Sequence, residues 1–396
     1  MNHIFLDNAS TTAVRKEVVE KMLPFFTENF GNPSGMHFFA RKAKKALNQS
    51  REIVASILNC TKEEIIFTSG GTESNNLAIF GSSYANTTKN KNHLITSLIE
   101  HAAVLEPFKR LKKENFKVDF LSPTQNGEIT ENILKKALRK ETLLISLMWA
   151  NNEIGTINNI KKLASLTKKK EIIFHSDACQ AGGSLELDVK KLGIDLMTLN
   201  GSKIHGPKGI GILFKSKNLK IKPQILGGSY QEGGLRGGTE NLPFIVGLAE
   251  ALRLAQKERE KEVKRLQKLQ QKIKEFILHK IPLSRLNGAK ENRLVNNLHF
   301  SFLNTEGESL MLLLDEAGFA TATSSACSSE NLKPSHVLLG INMPYEIAHG
   351  SLRITLGKNN TEKEINNFLL TLEAVVKKVR QRSAINFTKK DFPQWF

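Results

Sequence analysis

The chain has 396 residues, 40% apolar and 24% charged, and its 57 Lys and Arg against 39 Asp and Glu give a net charge of +18. That balance is ordinary for a soluble globular protein of two or three domains, and no apolar run is long enough to cross a bilayer. The three cysteines, Cys60, Cys179 and Cys327, are few, odd in number and far apart, which argues against a disulfide framework and against a cysteine-based metal site.

The opening stretch, MNHIFLDNASTTAV, has too short an apolar core for a secretory signal and lacks the look of a transit peptide, so a cytoplasmic protein is expected. Next, EEIIFTSGG reads as a strand running into a glycine turn, and ESNNLAIFGSS as the helix after it. HLITSLIEH is a strand and VLEPFKRLKKEN a helix; KVDFLSP, TLLISLMWAN, EIIFHSDA and LMTLNGSK are further strands with amphipathic helices between several of them. This alternation predicts βαβ units and a mostly parallel sheet. Residues 245–281 form one long helical pattern, with Val263, Leu266, Leu269, Ile273 and Phe276 at spacings of three and four before Pro282. Beyond it, LVNNLHFSF and SLRITLG read as strands, and ESLMLLLDEA and EINNFLLTLEAVVKKV as helices. The expected fold is α/β. A large domain over 15–255 carries a mostly parallel sheet covered by helices on both faces, and 1–14 with 256–396 form a smaller α+β domain. Lysine clusters such as KKALRK and KKLASLTKKK come without any RNA-binding motif; they read as solvated helix faces, and no direct nucleic-acid contact is expected.

Candidate polar residues gather where strands are expected to end, the usual place for ligands on such sheets. In TSGGTESN, Gly71 and Thr72 open a helix whose free amides and dipole suit a phosphate. His101 ends one strand, Asn151 and Asn152 follow another, Asp177 ends a third with Gln180 three residues on, and Lys203 follows a fourth. Lys203 lies in NGSKIHGPKG, among small residues. Bare neighbours leave room for a cofactor plane beside a lysine that bonds an aldehyde. A carboxylate opposite keeps a pyridine nitrogen protonated, and an aromatic ring lies over the cofactor. Lysine, acid, histidine and phosphate cradle together are the requirements of pyridoxal 5'-phosphate.

The stretches FLDNASTT, FGNPSGMH, FTSGGTESNN, EHAAVL, MWANNEIG, SDACQAGG, NGSKIHGPKGIG, QEGGLRGGTEN, SSACSS and LRITLG run through nearly the whole chain in one order. In that set the sequence resembles the cysteine desulfurases of the NifS/IscS type, within the class V aminotransferase group of fold-type I pyridoxal phosphate enzymes. The resemblance implies that Lys203 holds the cofactor, Asp177 faces its pyridine nitrogen and Gln180 its phenolic oxygen. His101 would stack on the ring and move protons. Gly71, Thr72 and Ser202 would hold the phosphate, with Asn200 and Asn152 at the cofactor and Thr239 reaching in from a second subunit. Asn152 and Arg353 would grip the substrate carboxylate, a bidentate task suited to guanidinium, with Asn32 also near substrate. Cys327 would be the nucleophile. Its setting, TATSSACSSENLKP, reads as a mobile loop.

The implied reaction takes sulfur from L-cysteine, leaving L-alanine and a persulfide on Cys327. The sulfur would then pass to an acceptor such as an iron–sulfur scaffold or a tRNA thiolation enzyme. The resemblance also implies a homodimer. Alternatives are a selenocysteine lyase, a cysteine sulfinate desulfinase, another class V aminotransferase, or a non-catalytic homologue that binds a scaffold. Four positions depart from the usual pattern: Ser202 stands where histidine is common, Asn200 where serine is, Cys179 where threonine is, and the arginine loop reads RGGT. Cys60, before a helix-to-strand turn, reads as inert, and Cys179 as a packing residue under the cofactor.

Overall fold

The computed structural model describes residues 3–323, 334–384 and 386–396. Its strands in chain order are β1 (Ile4–Phe5), β2 (Ile65–Thr68), β3 (His93–Ser97), β4 (Lys117–Leu121), β5 (Thr142–Ser146), β6 (Ile173–Asp177), β7 (Leu196–Asn200), β8 (Gly211–Lys215), β9 (Ser284–Leu286), β10 (Asn297–Phe302), β11 (Phe319–Ala320) and β12 (Ser351–Thr355). The main sheet has seven strands in the order β2-β8-β7-β6-β5-β3-β4. Only β8 runs against its neighbours; the remaining contacts are parallel. The α/β class and the mostly parallel sheet are therefore as expected.

Six of the seven strands are short apolar or β-branched runs buried along their whole length or nearly so, the pattern imposed when helices cover both faces. At the edge, β4 is partly exposed and opens on Lys117, a charge that discourages strand addition. The order turns back between β3 and β5, the point in such sheets where the strand-end loops part and leave a crevice. The GILFK segment of β8 was not read as a strand from sequence: five residues without alternation carry little periodic signal.

A second sheet, β12-β10-β9, is antiparallel, and β1 pairs in parallel with β11. The long helix expected over 245–281 runs Leu242–Lys280. Its first part, through Leu254, packs into the core of the seven-stranded sheet. From Leu266 onward it packs with Leu298, Phe300 and Ile354 of the small sheet. Polar residues between the two parts are tied down from outside: Arg15 makes a two-pronged contact with Glu258 at 2.9 Å, and Arg265 donates to the carbonyls of Asn360 and Gly357.

The last residues fold back onto the small sheet. Asn304 holds the Phe387 carbonyl and amide at 2.9 and 2.8 Å. The Arg285 guanidinium stacks 4.5 Å over the Trp395 ring. Phe387, Phe392, Trp395 and Phe396 join an apolar cluster with Val337, Leu338 and Ile99.

Candidate active site

Lys203 ends a single turn, Gly201–Lys203, directly after β7. The bare neighbourhood of this lysine has a cause the sequence reading did not anticipate: the loop folds on itself. The Gly206 amide donates to the Gly201 carbonyl at 3.0 Å. A Cβ on Gly201 would stand 2.7 Å from the Pro207 carbonyl oxygen, and one on Gly206 3.0 Å from Ala251. Packing alone thus requires glycine at both positions. The Lys203 amine donates to the Ser10 carbonyl. Gln180 donates to the neighbouring Ala9 carbonyl at 3.0 Å, and Thr12 donates through both amide and hydroxyl to the Ser202 carbonyl at 2.9 Å. Residues 9–12 thus lie along the lysine turn.

Burial pulls the Lys203 amine below its ordinary pKa because a charged ammonium loses solvation there. The charges acting on that amine come from three separate segments, those of Asp7, Asp177 and Arg353. Asp177, at the end of β6, is buried; its carboxylate accepts from Asn75 at 2.7 Å and from the Cys179 amide at 3.0 Å. Burial holds the Cys179 thiol well above the usual range, so it stays protonated. Cys60 is likewise pushed up, to about 12, chiefly by burial.

The helix Gly71–Asn86 starts against these residues. A Cβ on Gly71 would stand 2.7 Å from Cys179 Sγ and 3.4 Å from Asn200 Nδ2. The helix entry, the second residue after Asp177 and the residue before the lysine turn therefore meet at Gly71. Asn200 accepts from the Ser202 amide and hydroxyl, both at 3.2 Å. Gly71, Thr72, Asn200 and Ser202 share one corner, and first-turn amides of a helix have no partner within the helix.

Arg353, on β12 and buried, donates to Asp7 at 2.8 Å and to the Asn152 carbonyl at 3.3 Å, while its Nε has no partner among the described residues. Asn152 reaches the site through its backbone, which also accepts from Asn297 at 3.0 Å. β3 stops at Ser97, so His101 does not end a strand. It caps the helix Ala102–Lys113, exposed, with Nδ1 accepting from the Ala103 amide at 3.1 Å. In the neutral ring that leaves the proton on Nε2.

Asn32 and Thr239 are both exposed, and the described residues of this chain do not bring them to Lys203. Asn32 accepts from the Ser34 amide, and Thr239 lines a separate cleft with Arg236 and Glu232. Cys327 and the loop around it lie outside the described residues. Immediately before them, Ala322 and Arg353 exchange backbone hydrogen bonds at 2.7 and 3.2 Å.

Four residues escaped the sequence reading: Ser10, Asp7 and Asn75, which partner Lys203, Arg353 and Asp177, and Glu100. Glu100 is fully buried and accepts from Ser97 Oγ at 2.7 Å and the Met148 amide at 3.0 Å. A lone acid inside the apolar run LITSLIEH was its only signal.

The family model for class-V aminotransferases matches residues 4–368. The chain belongs to the class-V aminotransferase family. Among proteins of this family, it is 48% identical over 377 residues to a cysteine desulfurase IscS of Dictyoglomus turgidum, covering 95% of each chain. A solved NifS-like protein superposes with a TM-score of 0.89 at 35% identity, covering 95% of this chain and 100% of that one. A structure of SspA in complex with cysteine superposes with a TM-score of 0.78, also at 35% identity, over 89% of this chain and 98% of that one. The class-V match ends inside the helix Glu362–Arg382, before the docked aromatic tail.

Proposed function

We propose that this class-V chain is a pyridoxal phosphate-dependent cysteine desulfurase that converts L-cysteine to L-alanine and leaves the sulfur as a persulfide on Cys327. The observation that carries the reading is the gathering of Asp177, Asp7 and Arg353 around a Lys203 amine that is held at the Ser10 carbonyl. The relatives named above are the second support.

The residues fit the cofactor. Lys203 offers a partly buried amine of lowered pKa, and Asp177 a buried carboxylate fixed by Asn75. The corner at Gly71 is close enough that a side chain there would press on Cys179. Gly71, Thr72, Asn200 and Ser202 would hold the phosphate and Asp177 the ring nitrogen, with Gln180 and His101 at the ring and Thr239 of a second copy completing the cradle. When bound, pyridoxal phosphate draws electrons from the substrate α-carbon and so weakens the bonds around it.

The protein's own part follows from its geometry. Arg353 orients a carboxylate beside Asn152 through its guanidinium. A lysine held below its ordinary pKa is neutral in a larger fraction and can take the α-proton. His101 presents Nε2 for proton transfer. Cys327 follows Thr323 by four residues, a reach of at most about 14 Å, and the segment just before it is paired with Arg353 itself. The exchange balances without an outside oxidant. The substrate C–S bond is replaced by C–H, and the Cys327 S–H becomes S–S–H.

Domain limits of 15–255 and of 1–14 with 256–396 belong to the same reading, as do a homodimer, a cytoplasmic setting and a sulfur acceptor such as an iron–sulfur scaffold or tRNA thiolation enzyme. Exposed Phe26, Phe30, Met36, Phe38 and Phe39 give a second copy an apolar surface near Asn32. Among the described residues no helix is long and apolar enough to cross a membrane. The test is alanine formation from L-cysteine together with visible absorbance of the loaded protein. Lys203→Ala should lose both, and Cys327→Ser should keep the absorbance and lose sulfide release. Sulfide release unchanged in Cys327→Ser would reassign the nucleophile.

A further inference from the structure

Glu100 has no part in the reaction outlined above, yet three site segments meet at it. Its Oε1 accepts from Ser97, in its own turn, and from the Met148 amide, in the turn that follows β5. Its carbonyl accepts from His336 Nε2 at 2.9 Å, in the first turn of the helix His336–Gly340. Next to it, the Ile99 carbonyl accepts from Asn151 Nδ2 at 2.9 Å, while Asn151 Oδ1 accepts from the Glu153 and Ile154 amides. Glu153 in turn accepts from Ser335. Among the described residues Glu100 Oε2 has no hydrogen-bond partner, a costly state for a fully buried carboxylate.

We propose that Glu100 is a positioning residue for the desulfurase reaction, a buried junction that pins the turn carrying His101 to the turn carrying Asn152 and to the helix at His336. The proposal rests on the desulfurase reading for its kinetic consequence but not for its geometry. A neutral carboxyl satisfies the junction at lower cost than a buried anion, and the charges facing it add to that preference. Asp177 raises its pKa further, while His336 contacts only its carbonyl and Glu153 is bonded to Ser335. Burial lifts the carboxyl to about 8, against the pull of the Met148 and Ser97 donors. Ionisation above that pH places an anion in the junction and loosens the alignment of His101 with Asn152.

The test compares the wild-type holoenzyme with Glu100→Gln, Glu100→Ala and Ser97→Ala, following kcat for alanine from about pH 6 to about pH 10. The near-ultraviolet signal of Trp149, next to Met148, is followed in parallel. Wild type should decline on the alkaline side with a midpoint near 8. Glu100→Gln should keep kcat within about three-fold below neutral pH and shift that midpoint up by at least a unit. Glu100→Ala should lose at least ten-fold at every pH. Ser97→Ala, a small change, removes a donor that favours the anion, and should also move the midpoint upward. An unmoved midpoint in both Glu100→Gln and Ser97→Ala overturns the proposal, as does wild-type kcat in Glu100→Ala. Absence of alanine from the wild type at neutral pH would instead sink the desulfurase reading. The Trp149 midpoint then still decides the role of Glu100.

Discussion

Replacing Gly71 by alanine tests whether the corner at the helix entry is as tight as described. Alanine at the start of a helix ordinarily gains up to about 1 kcal/mol over glycine. Here its Cβ would stand 2.7 Å from Cys179 Sγ and 3.4 Å from Asn200 Nδ2, and forcing a methyl into a packed site costs about 1–3 kcal/mol. The net expectation is a loss of about 1–2 kcal/mol, since the helix gain is smallest at its first residue. Cys179 is the closest obstacle, so Gly71→Ala should be rescued by Cys179→Ala. A double-mutant cycle in denaturant unfolding should return a coupling of at least about 1 kcal/mol between the two sites. Cofactor absorbance of each variant shows whether the phosphate corner survives. Additive effects, or a Gly71→Ala protein as stable as wild type, would refute the packing argument.

Three further outcomes are expected. The folded chain keeps the Glu100 proton up to about pH 8, whereas the unfolded chain releases it near the ordinary value of 4.5. Between those values the native state binds the extra proton, so this group's contribution to stability falls as pH rises, by a few kcal/mol across the window. Melting temperatures of Glu100→Gln should therefore decline less steeply than those of wild type from about pH 5 to about pH 8. Arg353→Lys keeps the charge but loses the fork, so KM for L-cysteine should rise about ten-fold or more, and an unchanged KM would remove Arg353 from substrate binding. Trp395→Ala should cost about 3 kcal/mol and speed proteolysis after Ser383, because the ring is buried beneath Arg285.

Residues whose chemistry depends on local context were legible. Asp177, Lys203 and the Gly71–Thr72 entry could be placed because a strand, a turn and a helix start each leave a mark within ten residues. Their partners were not. Asp7 meets Arg353 across 346 positions, Ser10 meets Lys203 across 193, and Asn75 meets Asp177 across 102. Nothing local to Asp7, Ser10 or Asn75 signals the contact, which the bridge of Asp7 to Thr355 at the end of β12 and the packing of the helix Gly71–Asn86 create. The limit of β3 misled for a related reason: Leu98 and Ile99 extend the apolar run, but they belong to the turn that delivers His101 to a helix cap. The glycines around Lys203 were singled out as room for a ligand, and the backbone contacts of Gly201 and Gly206 were not legible, since a glycine needed for such contact looks in sequence like one kept clear for a ligand.

The 39-residue helix Leu242–Lys280 is a rod of ~58 Å whose two ends are buried in different cores. Each residue added to such a rod turns everything beyond it by about 100°. One extra residue in its polar middle would leave both cores intact but swing β12 away from β7, separating the Arg353 guanidinium from the Lys203 amine. The distance between the Arg353 guanidinium and the Lys203 amine is thus written as a helical phase, set by the number of residues in the rod.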